Sequence, residues 1–174
     1  MSDTPAPVPV SAVEMLRHAL ATLAYRAEKV LRDAPAEFAE FRPSPSSRSA
    51  MELVSHLGDL MEWAERMARG EMRWQAGVTT EWTAGCDRFF RATAAFDAAL
   101  ADPAAAPFTA VLFQAPVADA LTHIGQLAMM RGMVGAAVRP ESFARATIQT
   151  GHVGREQAAP GREFDGDASK PTPR

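Results

Sequence analysis

The chain has 174 residues, 47% of them hydrophobic, and this content is enough to close a single core. Its net charge of −3 excludes the basic field on which nucleic-acid binding depends. The single cysteine, Cys86, excludes an internal disulfide framework and suits a reducing compartment. No targeting signal and no apolar run of about 20 residues is recognisable, so we expect a cytoplasmic protein without a membrane span.

The first helix is predicted to follow a short lead. Three prolines in residues 1–10 predict that this lead is disordered. Ser11 and Glu14 then have the spacing of a capping box, which marks a helix N-terminus. Apolar residues recur at helical spacing as far as Leu31, so the helix should continue for about six turns and stop before Pro35.

The second helix is predicted from another capping box, formed by Ser49 and Glu52, and should extend to about Ala68. Its apolar residues follow one stripe, and His56 lies at the edge of that stripe. A lone histidine at such a boundary is more often a satisfied side chain than a ligand. His56 therefore becomes a candidate ligand only if another element supplies further donors.

A third helix is predicted to begin near Thr79 or Thr80 and to run to about Leu100. Cys86 lies on this helix among apolar residues, and no histidine accompanies it in the sequence. We therefore expect a buried thiol rather than a nucleophile.

The last helix contains Asp119 and His123 and is predicted to end around Gly132 to Gly135. Pro116 either kinks a long helix or occupies the first turn of a new one. We favour a new helix, because Asp119 then lies in its first turn, where the helix dipole favours an acid.

Helical periodicity stops after Pro140, and residues 139–174 are predicted to form an extended tail that lies over the helices or over a partner subunit. Its end, from about Asp167, should be disordered. His152 in this tail would either close over a site as a further donor or lie on the surface. No strand alternation is present, so residues 11–138 are predicted to form an all-α domain, a four-helix bundle.

Asp119 and His123 form the core of a candidate metal site, because residues four apart on a helix present their donors toward one point. The same spacing is also common in ordinary helix-surface contacts. His56 is the natural third ligand, since helical bundles place such sites between facing helices. Two imidazoles and one carboxylate would leave coordination positions open, as in catalytic sites. This donor set suits zinc, nickel, iron or manganese without selecting one.

Two further polar residues are candidates for orienting these ligands. Gln126 lies one turn after His123 and could face the site, but an ordinary interhelical hydrogen bond is the favoured role. Glu52 is needed as the capping-box acid, and contact with His56 would be an additional role. The three tryptophans line either the cavity or the core, and they are Trp63, Trp74 and Trp82.

The segment Ser49-Ala-Met-Glu-Leu-Val-Ser-His-Leu, followed far downstream by His-Ile-Gly-Gln at residues 123–126, resembles the DinB/YfiT-like superfamily of metalloenzymes. The resemblance extends over roughly residues 11–135, and the tail is similar to that of one subgroup. It implies a DinB-like four-helix bundle with a metal held by one histidine on helix two and two residues on a later helix.

The resemblance carries over to this chain one residue at a time. His56 and His123 match the first and last ligand positions of the superfamily. Asp119 stands where the commoner residue is histidine, although members such as the mycothiol-dependent isomerases have a carboxylate there. The departure is compatible with a metal and leaves its identity open.

The resemblance also implies a function. Characterised members are transferases and isomerases that use low-molecular-weight thiols, so a small-molecule substrate or thiol at an open metal position is expected. Members form dimers, and the cluster Met129-Met130-Arg131 with Met133 would suit a homodimer interface or ordinary core. The alternative is a non-catalytic dimeric bundle that binds a ligand or partner and retains a degenerate metal site.

Overall fold

A computed structural model describes residues 10–164 of the chain, and these residues form an all-α fold. The α-helices are α1 (Ala12–Leu31), α2 (Ala50–Ala68), α3 (Trp82–Ala99), the single turn α4 (Thr109–Leu112) and α5 (Ala118–Met133). Three short 3-10 helices are Ala36–Glu40, Pro103–Phe108 and Phe143–Arg145. The described residues contain no strand, only one isolated bridge between Glu141 and Glu163. Residues 1–9 of the predicted lead, and the tail's predicted disordered end from Asp167, lie outside the described residues.

Both predicted capping boxes are present, and they fix where the first two helices begin. The Ser11 hydroxyl accepts from the Glu14 amide at 3.1 Å, and the Glu14 carboxylate accepts from the Ser11 amide at 2.8 Å. Ser49 and Glu52 make the same two bonds at the start of α2. Each box satisfies backbone donors that have no partner within the helix.

Helix α3 begins slightly later than predicted, because a different residue caps it. The Glu81 carboxylate accepts from the backbone amides of Thr83 and Ala84, so the first helical residue is Trp82. Cys86 is fully buried on this helix, and burial raises the pKa of its thiol to about 12. The prediction of a buried thiol is confirmed, and a raised pKa disfavours the reactive thiolate.

The four long helices enclose one core. Helix α2 packs most extensively against α3, and both α1 and α2 also contact α5. Arg131 of α5 is buried and donates to the carbonyls of Val30 and Arg32, so it satisfies backbone acceptors at the end of α1. The largest fully buried side chains include Leu20, Leu23, Phe38, Leu57, Met61, Phe89, Phe96, Leu112 and Leu127.

The predicted start of a new helix at Pro116 was wrong. Pro116 lies in a π-helical turn, Phe113–Val117, that connects α4 to α5 without leaving helical backbone angles. A π-helical turn is wider than an α-helical one and tolerates a residue that lacks an amide donor. Asp119 therefore lies inside a continuous helical segment, and the argument from the dipole of a new helix does not apply.

This helical segment, Pro103–Met133, has the length and apolar composition of a membrane span, contrary to the expectation that no such run exists. The segment contains Pro107 and Pro116, and it carries Asp119 and His123. Core helices of soluble proteins pass the same test, so length and composition alone are a weak indication and assign no location.

Residues after α5 are held against α1 by a buried ionic cluster. The Glu141 carboxylate accepts from the Tyr25 hydroxyl at 2.6 Å and from Lys29 Nζ at 2.7 Å. Lys29 also donates to Glu163 at 2.5 Å. Because Glu141 has a fully buried side chain, these bonds replace the water it has lost and fix the segment on the helix.

Candidate metal centre

Three predicted ligands, one from α2 and two from α5, meet at one point. His56 comes from α2, and Asp119 and His123 come from successive turns of α5. One donor atom from each lies within 4.8 Å of the other two. The imidazole of His123 is 12% exposed, whereas the Asp119 carboxylate is 46% exposed and forms the open side of the group. This is a group of residues that could hold a metal ion.

Each oxygen of the Asp119 carboxylate faces one of the two imidazoles. His56 Nε2 lies 3.4 Å from Asp119 Oδ2, and His123 Nε2 lies 3.4 Å from Asp119 Oδ1. Both separations are longer than the usual N–H···O bond of about 2.7 to 3.2 Å. Tetrahedral ligands at about 2.1 Å from zinc are separated from one another by roughly 3.4 Å. Each imidazole therefore has roughly this spacing from one oxygen of Asp119, and the three donor atoms lie within 4.8 Å of one another.

Gln126 determines which nitrogen of His123 faces the other donors. Its Oε1 lies 2.7 Å from His123 Nδ1, a hydrogen bond in which the ring donates. A proton on Nδ1 leaves the lone pair on Nε2, the atom that points toward Asp119. The structure thus gives Gln126 an orienting contact with a ligand, made within α5 rather than between helices.

His56 is half-buried and is flanked by rings. The His123 ring lies 5.0 Å from it between centroids, and the Trp74 ring lies 5.7 Å away. Burial lowers the pKa of His56, and the positive charge of Arg48 acts in the same direction. Both effects favour the neutral imidazole, which is the form that ligates metals.

The loop between α2 and α3 holds Trp74 in this position. Trp63 Nε1 donates to the carbonyl of Met72 at 3.1 Å, and the two indole rings meet edge to face at 5.3 Å. The Gly77 amide donates to Asp59 Oδ1 at 2.8 Å and ties the far end of the loop to α2. Trp74 therefore borders the site, whereas Trp82 packs on Phe38 in the core.

A cavity of about 590 Å³ adjoins the three donors, a size that suits a small organic ligand. The residues that line it are Pro43, Ser47, Arg48, Leu53, His56, Asp119, His123, Gln126, Met129 and Met130. Sequence reasoning did not identify Arg48, because it belongs to the irregular loop before α2. A position one residue before an N-cap gives no periodic signal.

Glu52 has two structural bonding roles. Its carboxylate accepts from the Ser49 amide at 2.8 Å, and Arg42 donates to both of its oxygens at 2.7 and 2.8 Å. These three bonds hold the carboxylate at the start of α2. A role for Glu52 in orienting His56 stays a prediction.

His152 lies away from the three donors. It borders a groove formed by residues 149–154 and Ala94 of α3, and its side chain contacts the Glu156 carbonyl. Within residues 10–164 the group formed by His56, Asp119 and His123 is the one cluster with the spacing of metal ligands.

Fold and site together define an all-α protein with two histidines and one aspartate gathered beside a small-molecule cavity. Comparison of the chain with protein-family models, with curated proteins and with solved structures found no match. The functional argument therefore rests on the residues and their geometry.

Proposed function

We propose that the chain is a metal-dependent enzyme of the DinB/YfiT-like superfamily. His56, Asp119 and His123 would hold one divalent transition metal, and the cavity would admit a small substrate or a low-molecular-weight thiol. The observation that carries this proposal is that one donor atom from each of the three residues lies within 4.8 Å of the other two. The resemblance of the motifs around His56 and His123 supports the assignment to the superfamily.

The residues around the donors provide what a catalytic metal site needs. A bound metal would supply a Lewis acid that lowers the pKa of water or binds a thiolate. The 46% exposure of Asp119 leaves one side accessible, and the cavity provides room there for a reactant. Gln126 holds the His123 ring in the tautomer that leaves Nε2 free. Trp74 and Met130 provide apolar surroundings at the edges of the site.

The experiment is metal loading of the untagged protein. The protein is stripped with a chelator and reloaded separately with zinc, nickel, manganese and ferrous iron. Its metal content is then measured after desalting. We expect about one equivalent of at least one metal, as a three-ligand site binds a single ion. His56→Ala should lose that equivalent, whereas His18→Ala, a control at an exposed histidine on α1, should keep it.

Failure to bind any of the four metals would contradict the proposal. If all four metals stay below about a tenth of an equivalent after reloading, the proposal is wrong, because a folded three-ligand site should bind under these conditions. In that case the alternative of a non-catalytic bundle gains support. That alternative predicts that His56→Ala alters thermal stability while metal content stays at the background level in both proteins.

A further inference from the structure

Arg48 is an exposed, positively charged residue that lines the cavity. It precedes α2 by two residues and lines the cavity together with His56 and Asp119. The carboxylate of Glu52, one turn along the chain, forms an ion pair with Arg42, which donates to both of its oxygens. Within residues 10–164 the guanidinium of Arg48 makes no hydrogen bond and no ion pair.

The charge balance of the cavity favours an anion. Asp119 is the other charged residue in the lining, and it is one of the three proposed ligands. A divalent metal would more than neutralise this carboxylate, and Arg48 would add further positive charge. The cavity would then be positive although the whole chain has a net charge of −3. A concave site of one sign attracts small ions of the opposite sign.

The rest of the cavity wall limits the size and polarity of the ligand. Leu53, Met129 and Met130 form the apolar part of the lining. The volume of about 590 Å³ suits a small organic molecule, not a macromolecular segment. The cavity lining thus combines one cation, an apolar part and the metal donors.

From these features we infer that the site takes a small carboxylate-bearing molecule, whose carboxylate Arg48 binds and whose second polar group reaches the metal. Guanidinium groups bind carboxylates through two parallel charge-assisted hydrogen bonds, and an unpaired arginine has its donors available for them. This inference rests on the proposed metal site and specifies the class of substrate for it.

The experiment compares two thiols of equal chain length, one ending in a carboxylate and the other in a hydroxyl group. The protein is loaded with Co²⁺, and its absorption spectrum reports first the metal and then the thiolate bound to it. The probes are 3-mercaptopropionate and its neutral analogue 3-mercapto-1-propanol. We expect the carboxylate probe to bind about tenfold more tightly, since one charge-assisted contact corresponds to roughly that factor in affinity.

Three variants test whether Arg48 causes the preference for the carboxylate probe. Arg48→Gln should bind Co²⁺ as the wild type does and bind the two thiols equally. Arg48→Lys should recover part of the preference, because it keeps the charge and loses the fork geometry. Arg69→Gln removes an exposed charge at the other end of α2 and should behave as the wild type. It controls for a change in net charge.

The possible failures separate the two proposals. If Co²⁺ does not bind, the metal site is wrong and the substrate class falls with it. If Co²⁺ binds but the carboxylate probe does not, or binds no better than the alcohol, the role of Arg48 is wrong while the metal site stands. A charge preference that persists in Arg48→Gln also overturns the inference.

Discussion

The hydrogen bond between Gln126 and His123 links one side chain to the proposed metal affinity. Gln126 Oε1 accepts from Nδ1 of the ring at 2.7 Å and holds Nε2 toward Asp119. Groups that hydrogen-bond a metal-ligating histidine change metal affinity by roughly 10- to 100-fold when they are removed. We therefore predict that Gln126→Ala weakens metal binding about tenfold, measured by competition with a chromophoric chelator.

A control on the same helix separates this effect from a general loss of helix stability. Thr122→Ala changes an exposed residue whose hydroxyl bonds only to the Ala118 carbonyl one turn back. It should leave the metal affinity unchanged. Equal affinities for Gln126→Ala and the wild type would show that the bond to His123 does not orient the ligand.

At the scale of single residues, the sequence predicted the donors but not their surroundings. Asp119 and His123 share a face because a helix brings residues four apart together, and His56 follows from its position on a well-marked helix. Arg48 and Trp74 lie in loops, where no periodicity relates sequence position to spatial position. Their places depend on tertiary contacts of those loops, which a local pattern does not encode.

Among the elements, the connection between α2 and α3 depends on Arg88. From α3, its guanidinium donates to Asp59 at 2.6 Å, to Glu62 at 2.8 Å and to the Ser55 carbonyl at 3.2 Å. Asp59 is buried, with 6% of its side chain exposed, so the contact with Arg88 replaces water that the carboxylate has lost. The Gly77 loop packs directly on the same guanidinium, and a side chain at Gly77 would collide with it.

We predict that Arg88→Met lowers the free energy of unfolding by about 3 kcal/mol at pH 7, because it leaves a buried carboxylate without its cation. Chemical denaturation of the two proteins measures the difference. The matched control is Arg91→Met, an exposed arginine one turn along α3, which should change stability by less than about 0.5 kcal/mol. Equal losses in the two variants would contradict the prediction.

The effect of Arg88→Met should also depend on pH. The hydrogen bond from Arg88 lowers the pKa of Glu62. A lowered pKa contributes stability above the pKa of the unfolded carboxyl, about 4.3, and that contribution is lost as the pH falls through the folded value. The difference between wild type and Arg88→Met should therefore shrink in denaturation curves measured below about pH 4. A difference that grows on acidification would be inconsistent with this pairing.

Helix boundaries were predictable where local chemistry decides them and unpredictable elsewhere. Ser11 and Ser49 begin their helices as expected, because the capping box is a local arrangement of four residues. Pro116 was misjudged, because a proline can either begin a helix or widen a turn within one. In this protein Pro116 widens a turn, and that π-helical turn packs against α1 and α2. The residues next to Pro116 in the sequence do not indicate these tertiary contacts.

For the whole molecule, we propose that α5 forms a homodimer interface through its outward face. Met129 and Met133 lie on this face and are exposed. Gly125 and Gly132 beside them have open space where a side chain would be, so another helix can approach closely. A two-fold arrangement would bring the same face of a second copy against this one. Since Met129 also lines the cavity, the second copy of the chain would lie beside the cavity wall.

We predict that light scattering coupled to size-exclusion chromatography gives a mass of about twice 18.7 kDa for the wild type. Met133→Glu should shift the protein toward the monomer, because the interface would have to bury an unpaired charge. Met133 is 54% exposed, and Met15→Glu on α1 offers a matched control at 56% exposure that should remain dimeric. Neither Met133 nor Met15 lines the cavity, so both variants should keep the metal content of the wild type. An unchanged metal content would show that each variant is folded. A monomeric wild type, or dissociation of both variants alike, would contradict an interface on α5.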